Sequence, residues 1–139
     1  MSAGARACRA AQAAVGSRFR LHGRAAATGL DCIGLVAQAL EAGGCAVVVP
    51  SGYALRGGDP ARAAAWLDRV LGRSDGGAPG DILMLRTGPG QLHFAVRSPG
   101  GIVHADASLR RVVERPMDGA DADGGGDRDG AADPVDRPL

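Results

Sequence analysis

Cys32 stands in the stretch LDCIGLV, directly after an acidic residue and at the start of a segment with helical periodicity. A thiol is a strong nucleophile only when it is ionised, and the free N–H groups and dipole of a helix N-terminus favour the anion. We therefore expect the helix start to lower the pKa of Cys32. A helix cysteine is also often a small buried apolar residue, so its position alone leaves both interpretations open.

A nucleophilic thiol needs a base, and the chain contains three histidines, His22, His93 and His104. His93 and His104 lie in consecutive predicted strands joined by Ser-Pro-Gly-Gly. A two- or four-residue turn puts position 93 opposite 104 or 106, so both imidazoles share a face at roughly 5 to 8 Å between Cβ atoms. This register favours His93 as the base and His104 as the group that orients it, with Asp106 a weaker candidate. His22 falls in an irregular segment and is interpreted as a solvated or rim residue.

Three segments have the spacing of apolar residues that is typical of helices. The clearest begins at Asp31, with Asp31 or Thr28 as its N-cap, and ends before Gly43-Gly44. The predicted helices cover residues 4–15, 31–42 and 59–71. Between them, residues 17–29 indicate an irregular connection and residues 46–49 a short strand.

The apolar period changes from helical to extended after a Gly- and Pro-rich connector at 72–80. Four short runs predict an antiparallel meander over residues 81–86, 93–98, 101–107 and 110–116. Helices packed on such a meander form an α+β fold. We expect one domain over 1–117. The Asp- and Gly-rich tail over 118–139 has few apolar residues to offset its ordering entropy, and is predicted to be disordered.

Composition excludes several classes of function. All sixteen basic residues are Arg, which is typical of GC-rich codon usage, so we expect no nucleic-acid partner. Residues 1–117 carry 14 Arg and 8 acids (+6), and 118–139 carry 2 Arg and 7 Asp (−5), which sums to the net charge of +1. No apolar run approaches the ~18 residues of a membrane span, and no signal peptide is recognisable. This pattern favours cytoplasmic synthesis.

The three cysteines, Cys8, Cys32 and Cys45, cannot all pair, so at least one thiol stays free. Their spacing matches neither a zinc ribbon nor a redox pair. Cys8 and Cys45 lack any motif and are interpreted as structural. We expect neither a metal nor a cofactor.

The motifs LDCIGLV, PGDILMLR, QLHFAV and GIVHAD, in that order over roughly residues 10–115, resemble the NlpC family of papain-like cell-wall cysteine peptidases. The resemblance implies a circularly permuted variant of the papain fold that cleaves peptidoglycan stem peptides, typically between γ-D-glutamate and a diamino acid. It assigns Cys32 as the nucleophile, His93 as the general base and His104 as the orienting residue. Asp31 matches a position that holds the free amino end of the substrate. The chain is most similar to phage and gene-transfer-agent members, which implies a phage-tail-like assembly as a further partner and delivery to the cell wall.

The chain departs from the family pattern at three places. Ile33 replaces a Ser that lines the substrate site, and Phe19 replaces a Tyr whose hydroxyl lies near the thiol. The tail after Pro116 replaces a last apolar strand. These departures motivate a second hypothesis, in which the same fold is a catalytically inactive structural or cell-wall-binding module.

Overall fold

The computed structural model describes residues 1–45, 71, 76–88 and 91–117, and only the backbone of 86–88, 91 and 92. The predicted strand over 46–49, the helix over 59–71 apart from its last residue, and the tail over 118–139 lie outside the described residues. The elements in the described ranges are α1 (Ala3–Ala13), β1 (Arg24–Ala25), β2 (Gly29–Leu30), α2 (Cys32–Ala42), β3 (Ile82–Gly88), β4 (Gln91–Ser98), β5 (Gly101–Asp106) and β6 (Arg111–Arg115).

Helix α1 forms because its sequence combines high helix propensity with a good N-cap. The Ser2 hydroxyl accepts a hydrogen bond of 3.0 Å from the backbone N–H of Ala5. The helix ends at Ala13 with Ala14 as its C-cap, and the chain reverses at Gly16, which has the positive φ of +93° that glycine adopts without strain. Small buried side chains such as Ala7 and Ala11 face α2 and let the two helices approach closely.

Helix α2 is the central element of the core. Its N-cap is Asp31, which is one of the two predicted N-cap residues, and its C-cap is Gly43. Its apolar residues recur at helical spacing, and those with no exposed surface are Leu35, Val36, Ala39 and Leu40. The predicted limits of this helix are confirmed.

The four long strands form an antiparallel sheet in the order β3-β4-β5-β6. The pairs Val96↔Val103 and Ser98↔Gly101 leave a two-residue turn between β4 and β5. The paired residues end at Val96↔Val103, and the alternation of side chains along both strands places His93 and His104 on the same face of the sheet. The predicted meander and the predicted shared face of the two imidazoles are confirmed.

Both helices pack on one face of this sheet. Ile82 and Met84 point into the main core with the helices, whereas Leu83 and Leu85, which alternate with them along β3, belong to a smaller buried cluster on the opposite face. Burial on both faces explains why β3 reads as a continuous apolar run rather than as an alternating one.

The segment before α2 is more ordered than the sequence indicates. The strands β1 and β2 pair as a short hairpin, and residue 19 bridges to Leu30 while residue 18 bridges to residue 111 at the start of β6. The predicted irregular connection over 17–29 is therefore corrected in part. Such two-residue pairings carry no periodic pattern, so they are set by tertiary contacts.

Gly34 provides the first testable prediction. A Cβ at this position of α2 would collide with the backbone carbonyl oxygen of Gly23. The lead-in segment, residues 17–29, therefore passes very close to the helix at this point. Gly34→Ala should therefore lower the free energy of unfolding by about 1–3 kcal/mol, although alanine favours helices. Gly100→Ala is the control, since a Cβ at that turn meets nothing within 4 Å. Equal thermal melting temperatures of the two variants would contradict this close approach.

Candidate active site

Cys32 is the first residue of α2, and its side chain is 1% exposed. Its sulfur lies near three backbone N–H groups, those of Phe94 on β4, Ile33 and Cys32 itself. The contact with Phe94 brings the thiol to the strand position next to His93. The helix start and the beginning of β4 therefore meet at this sulfur.

Burial raises the pKa of the Cys32 thiol from 9.0 to about 12, and the negative charge of Asp31 adds to the increase. The three N–H groups act in the opposite direction, but they do not outweigh the loss of hydration. The expectation that the helix start would lower this pKa is wrong, because it considered the helix dipole without the burial. The resting thiol is therefore neutral.

The two imidazoles of the sheet are in direct contact. Nε2 of His93 lies 2.6 Å from Nδ1 of His104, and the rings meet edge to face with centroids 4.7 Å apart. His93 is half-buried and His104 is 4% exposed. Asp106, the weaker candidate for the orienting role, instead accepts hydrogen bonds from the N–H groups of Ser108 and Leu109 in the next turn.

Arg115, the last residue of β6, extends this pair to a chain of three side chains. Its Nε donates to Nε2 of His104 at 3.0 Å, and its Nη1 donates to the carbonyl of Pro116 at 3.1 Å. His104 is therefore held from both of its ring nitrogens, by His93 on one side and by Arg115 on the other.

Asp31 is fully buried and forms the other polar centre. Its Oδ1 accepts from the N–H of Gly34 at 2.8 Å and pairs with Nη1 of Arg24 at 3.2 Å, and its Oδ2 accepts from the N–H of His22 at 2.7 Å. The carboxylate thus caps α2 and fastens the lead-in segment to it. A contact of Asp31 with the amino end of a substrate stays a prediction.

The remaining predicted residues are placed as follows. Ile33 is 7% exposed and packs in the main core, so its role toward a substrate also stays a prediction. The side chain of His22 is exposed, in agreement with the interpretation as a rim residue. Cys8 and Cys45 are buried and unpaired with any other cysteine, and burial raises the pKa of both thiols. Within the described residues, no cluster of His, Cys, Asp or Glu is arranged to hold a metal ion.

Sequence reasoning missed Arg24 and Arg115. Both are single arginines in a chain that uses Arg for every basic position, so neither stood out by type. The register of β5 and β6 held a usable signal for Arg115, because the pair His104↔Val113 makes Arg115 a diagonal neighbour of His104 on the same face.

No protein-family model and no curated protein matches the sequence. The fold, however, is similar to solved NlpC/p60 structures. NlpC1 from Trichomonas vaginalis aligns with a TM-score of 0.62 and 21% identity over 84% of this chain, and the chain spans 40% of the length of that protein. The NlpC/p60 domain of the peptidoglycan hydrolase SagA aligns with a TM-score of 0.55 and 20% identity, over 79% of this chain and 86% of that domain.

These likenesses establish the α+β fold of NlpC/p60 domains, and the predicted fold class is confirmed. The order of helices and antiparallel strands agrees with it. No helix within the described ranges has both the length and the apolar character that a bilayer crossing requires.

The Asp31 carboxylate should be essential for stability independently of any substrate. Asp31→Asn replaces an acceptor by an amide N–H₂ that faces donors of His22 or Arg24, so we expect a loss of about 3 kcal/mol in the free energy of unfolding. Asp106→Asn is the matched control, because asparagine forms the same turn as aspartate there. Chemical denaturation measures both, and a loss below about 1 kcal/mol for Asp31→Asn would contradict the cap assignment.

The raised pKa of Cys32 predicts a stability loss at alkaline pH. Because the folded state keeps this proton to about pH 12 while the unfolded chain releases it near 9, stability is full below pH 9 and falls as pH rises. Cys32 alone should contribute a slope of about −1.4 kcal/mol per pH unit. The chain has no Lys, and the other groups that titrate in this range, Cys8, Cys45 and Tyr53, are the same in both proteins. Denaturation of Cys32→Ala from pH 9 to 12 should give a shallower slope, and parallel slopes would refute the assignment.

Proposed function

We propose that this protein is a cysteine endopeptidase that hydrolyses amide bonds of peptidoglycan stem peptides. The observation that carries the proposal is the contact of the helix-start thiol with the backbone of Phe94, the neighbour of His93 in a pair of contacting imidazoles, in a fold similar to that of a peptidoglycan hydrolase domain. Cys32 is the nucleophile, His93 the general base and His104 the residue that orients the base.

The reaction begins when Nδ1 of His93 takes the proton from the sulfur of Cys32. The thiolate attacks the amide carbonyl carbon, and the C–N bond breaks as the imidazolium returns its proton to the leaving amine. Water, deprotonated by His93, then attacks the thioester and releases the carboxylic acid and the thiol. No cofactor takes part.

The surroundings of the thiol support this sequence of steps. The backbone N–H groups of Cys32 and Ile33 are the donors that would stabilise the developing oxyanion. His104 would accept a hydrogen bond from Nε2–H of His93, so that the lone pair of Nδ1 faces the sulfur. The base matters especially here, since the buried thiol without a base would ionise only at about pH 12.

The bond between γ-D-glutamate and the diamino acid is the proposed cleavage site, on the resemblance of the ordered motifs to the NlpC family. Asp31 and Ile33 are the proposed substrate contacts from the same motif. A phage-tail-like assembly is the partner that the same resemblance suggests for delivery to the wall.

A second candidate function is a catalytically inactive wall-binding or structural module. It is favoured by a specific observation, the nearly complete burial of a thiol whose pKa is raised rather than lowered. The replacements at Ile33 and Phe19 agree with it. Thiol labelling of Cys32 no faster than of Cys8 or Cys45 would favour this candidate.

The deciding experiment is mass spectrometry of the muropeptides released from purified peptidoglycan. We expect the unmodified protein to release fragments cut at one stem-peptide bond, and Cys32→Ala and His93→Ala to lower the rate by about a thousandfold or more. Cys45→Ala, which also removes a buried thiol, should keep the activity. Release by Cys32→Ala at the rate of the parent protein would refute the proposal, and no release by either would favour the inactive module.

A further inference from the structure

The contact between Arg115 and His104 fixes which nitrogen of His104 carries a proton. A guanidinium has only donors and keeps its charge at any physiological pH. Because Nε of Arg115 donates to Nε2 of His104 at 3.0 Å, that nitrogen must offer a lone pair. The proton of the neutral His104 ring therefore resides on Nδ1.

The same reasoning extends to His93. Nδ1–H of His104 lies 2.6 Å from Nε2 of His93, so His104 donates and His93 accepts. With its Nε2 lone pair in use, the neutral His93 ring carries its proton on Nδ1. The hydrogen bonds then run in one direction, from Arg115 to His104 to His93.

This direction is opposite to the one that catalysis needs. A base that takes the Cys32 proton at Nδ1 must hold a lone pair there, and it must donate from Nε2–H toward His104. That pattern places the His104 proton on Nε2, where it would point at Nε–H of Arg115. Two donors facing each other at this distance are unfavourable.

We propose that Arg115 is a latch, a side chain that holds the two imidazoles in the resting hydrogen-bond direction until it withdraws from His104. The inference rests on the proposed function for its consequence in catalysis, and it names Arg115 as a positioning residue that regulates the same site. Arg115 is suited to such movement because it is half-buried at the end of β6 and followed by the exposed Pro116.

The change from the resting to the catalytic hydrogen-bond pattern conserves the number of protons, and water is its only co-reactant. The proton between the rings moves from Nδ1 of His104 to Nε2 of His93. Water takes the proton from Nδ1 of His93, and water delivers one to Nε2 of His104. Each ring keeps one proton, so the net charge of the pair is unchanged.

The neutral resting thiol agrees with this assignment. Burial raises the pKa of Cys32 to about 12, so no thiolate is present to draw a second proton onto His93. A thiol and two neutral rings form an uncharged group in a buried place, which avoids the cost of desolvating an ion pair.

The ¹⁵N NMR spectrum of histidine-labelled protein tests the latch directly, because the two tautomers of a neutral imidazole give different nitrogen shifts. We expect His104 to be protonated at Nδ1 in the parent protein and at Nε2 in Arg115→Met, which keeps the aliphatic stem but has no donor. Arg115→Lys should retain the parent pattern, since an ammonium is also a donor-only cation. Arg111→Met, on the same strand and exposed, is the matched control.

Alkylation of Cys32 by iodoacetamide near neutral pH, followed by peptide mass spectrometry, gives the second readout. We expect Arg115→Met to react about tenfold faster than the parent, equivalent to about 1.4 kcal/mol in the activation barrier. Adding His93→Ala should remove this gain, because the gain requires the base.

Two results would overturn the latch: an Nε2-protonated His104 in the parent protein, or an unchanged tautomer and labelling rate in Arg115→Met. These readouts do not depend on peptidase activity. A protein without activity toward peptidoglycan that still shows the tautomer change would refute the proposed function and support the latch. Muropeptide release without a tautomer change would support the proposed function and refute the latch.

Discussion

The buried carboxylate of Asp31 is the interaction on which the geometry of the site depends. A carboxylate without water is costly unless its oxygens are paired and hydrogen bonded. Here the N–H of Gly34, the N–H of His22 and the guanidinium of Arg24 satisfy it. The Asp31 side chain therefore caps helix α2, ties the β1–β2 hairpin to it and so fixes the position of the next residue, Cys32. Gln38, one to two turns further along α2, fastens the same hairpin by donating to the carbonyl of Arg24 at 2.8 Å.

This anchoring has a chemical consequence for the thiol. The packing that holds Cys32 in place also removes water from it, and the adjacent carboxylate disfavours a second negative charge. Both effects raise the pKa, and together they outweigh the backbone N–H groups around the sulfur. Reactivity at neutral pH then has to come from a base rather than from the helix dipole. Under the proposed function, the imidazole of His93 is that base.

The sheet supplies that imidazole with an orientation that depends on two further strands. The two-residue turn between β4 and β5 puts His93 and His104 on one face of the sheet, and the hairpin between β5 and β6 brings Arg115 to the other side of His104. A cation with donors only imposes a direction on the hydrogen bonds that a neutral acceptor would not impose. In the proposed latch, Arg115 on β6 thereby determines which nitrogen of His93 carries the proton, two side chains away.

The sequence by itself determined the parts of this protein that depend on neighbours a few residues apart. Helix propensity and the Asp31 cap gave the limits of α2, and turn length gave the shared face of His93 and His104. The order of the motifs indicated an NlpC-type fold, because that order reflects how the chain passes through the site. These signals are local, so the sequence contains them in readable form.

Only the tertiary structure decided how these parts act on one another. The burial of Cys32, the pairing of Asp31 with Arg24 and the contact of Arg115 with His104 all depend on segments that converge from separate parts of the chain. Solvation and hydrogen-bond direction are properties of such a three-dimensional arrangement, and no spacing rule encodes them. For this reason the sequence predicted the thiol and the two imidazoles as candidate residues, whereas packing raised the pKa of the thiol and placed Arg115 against His104.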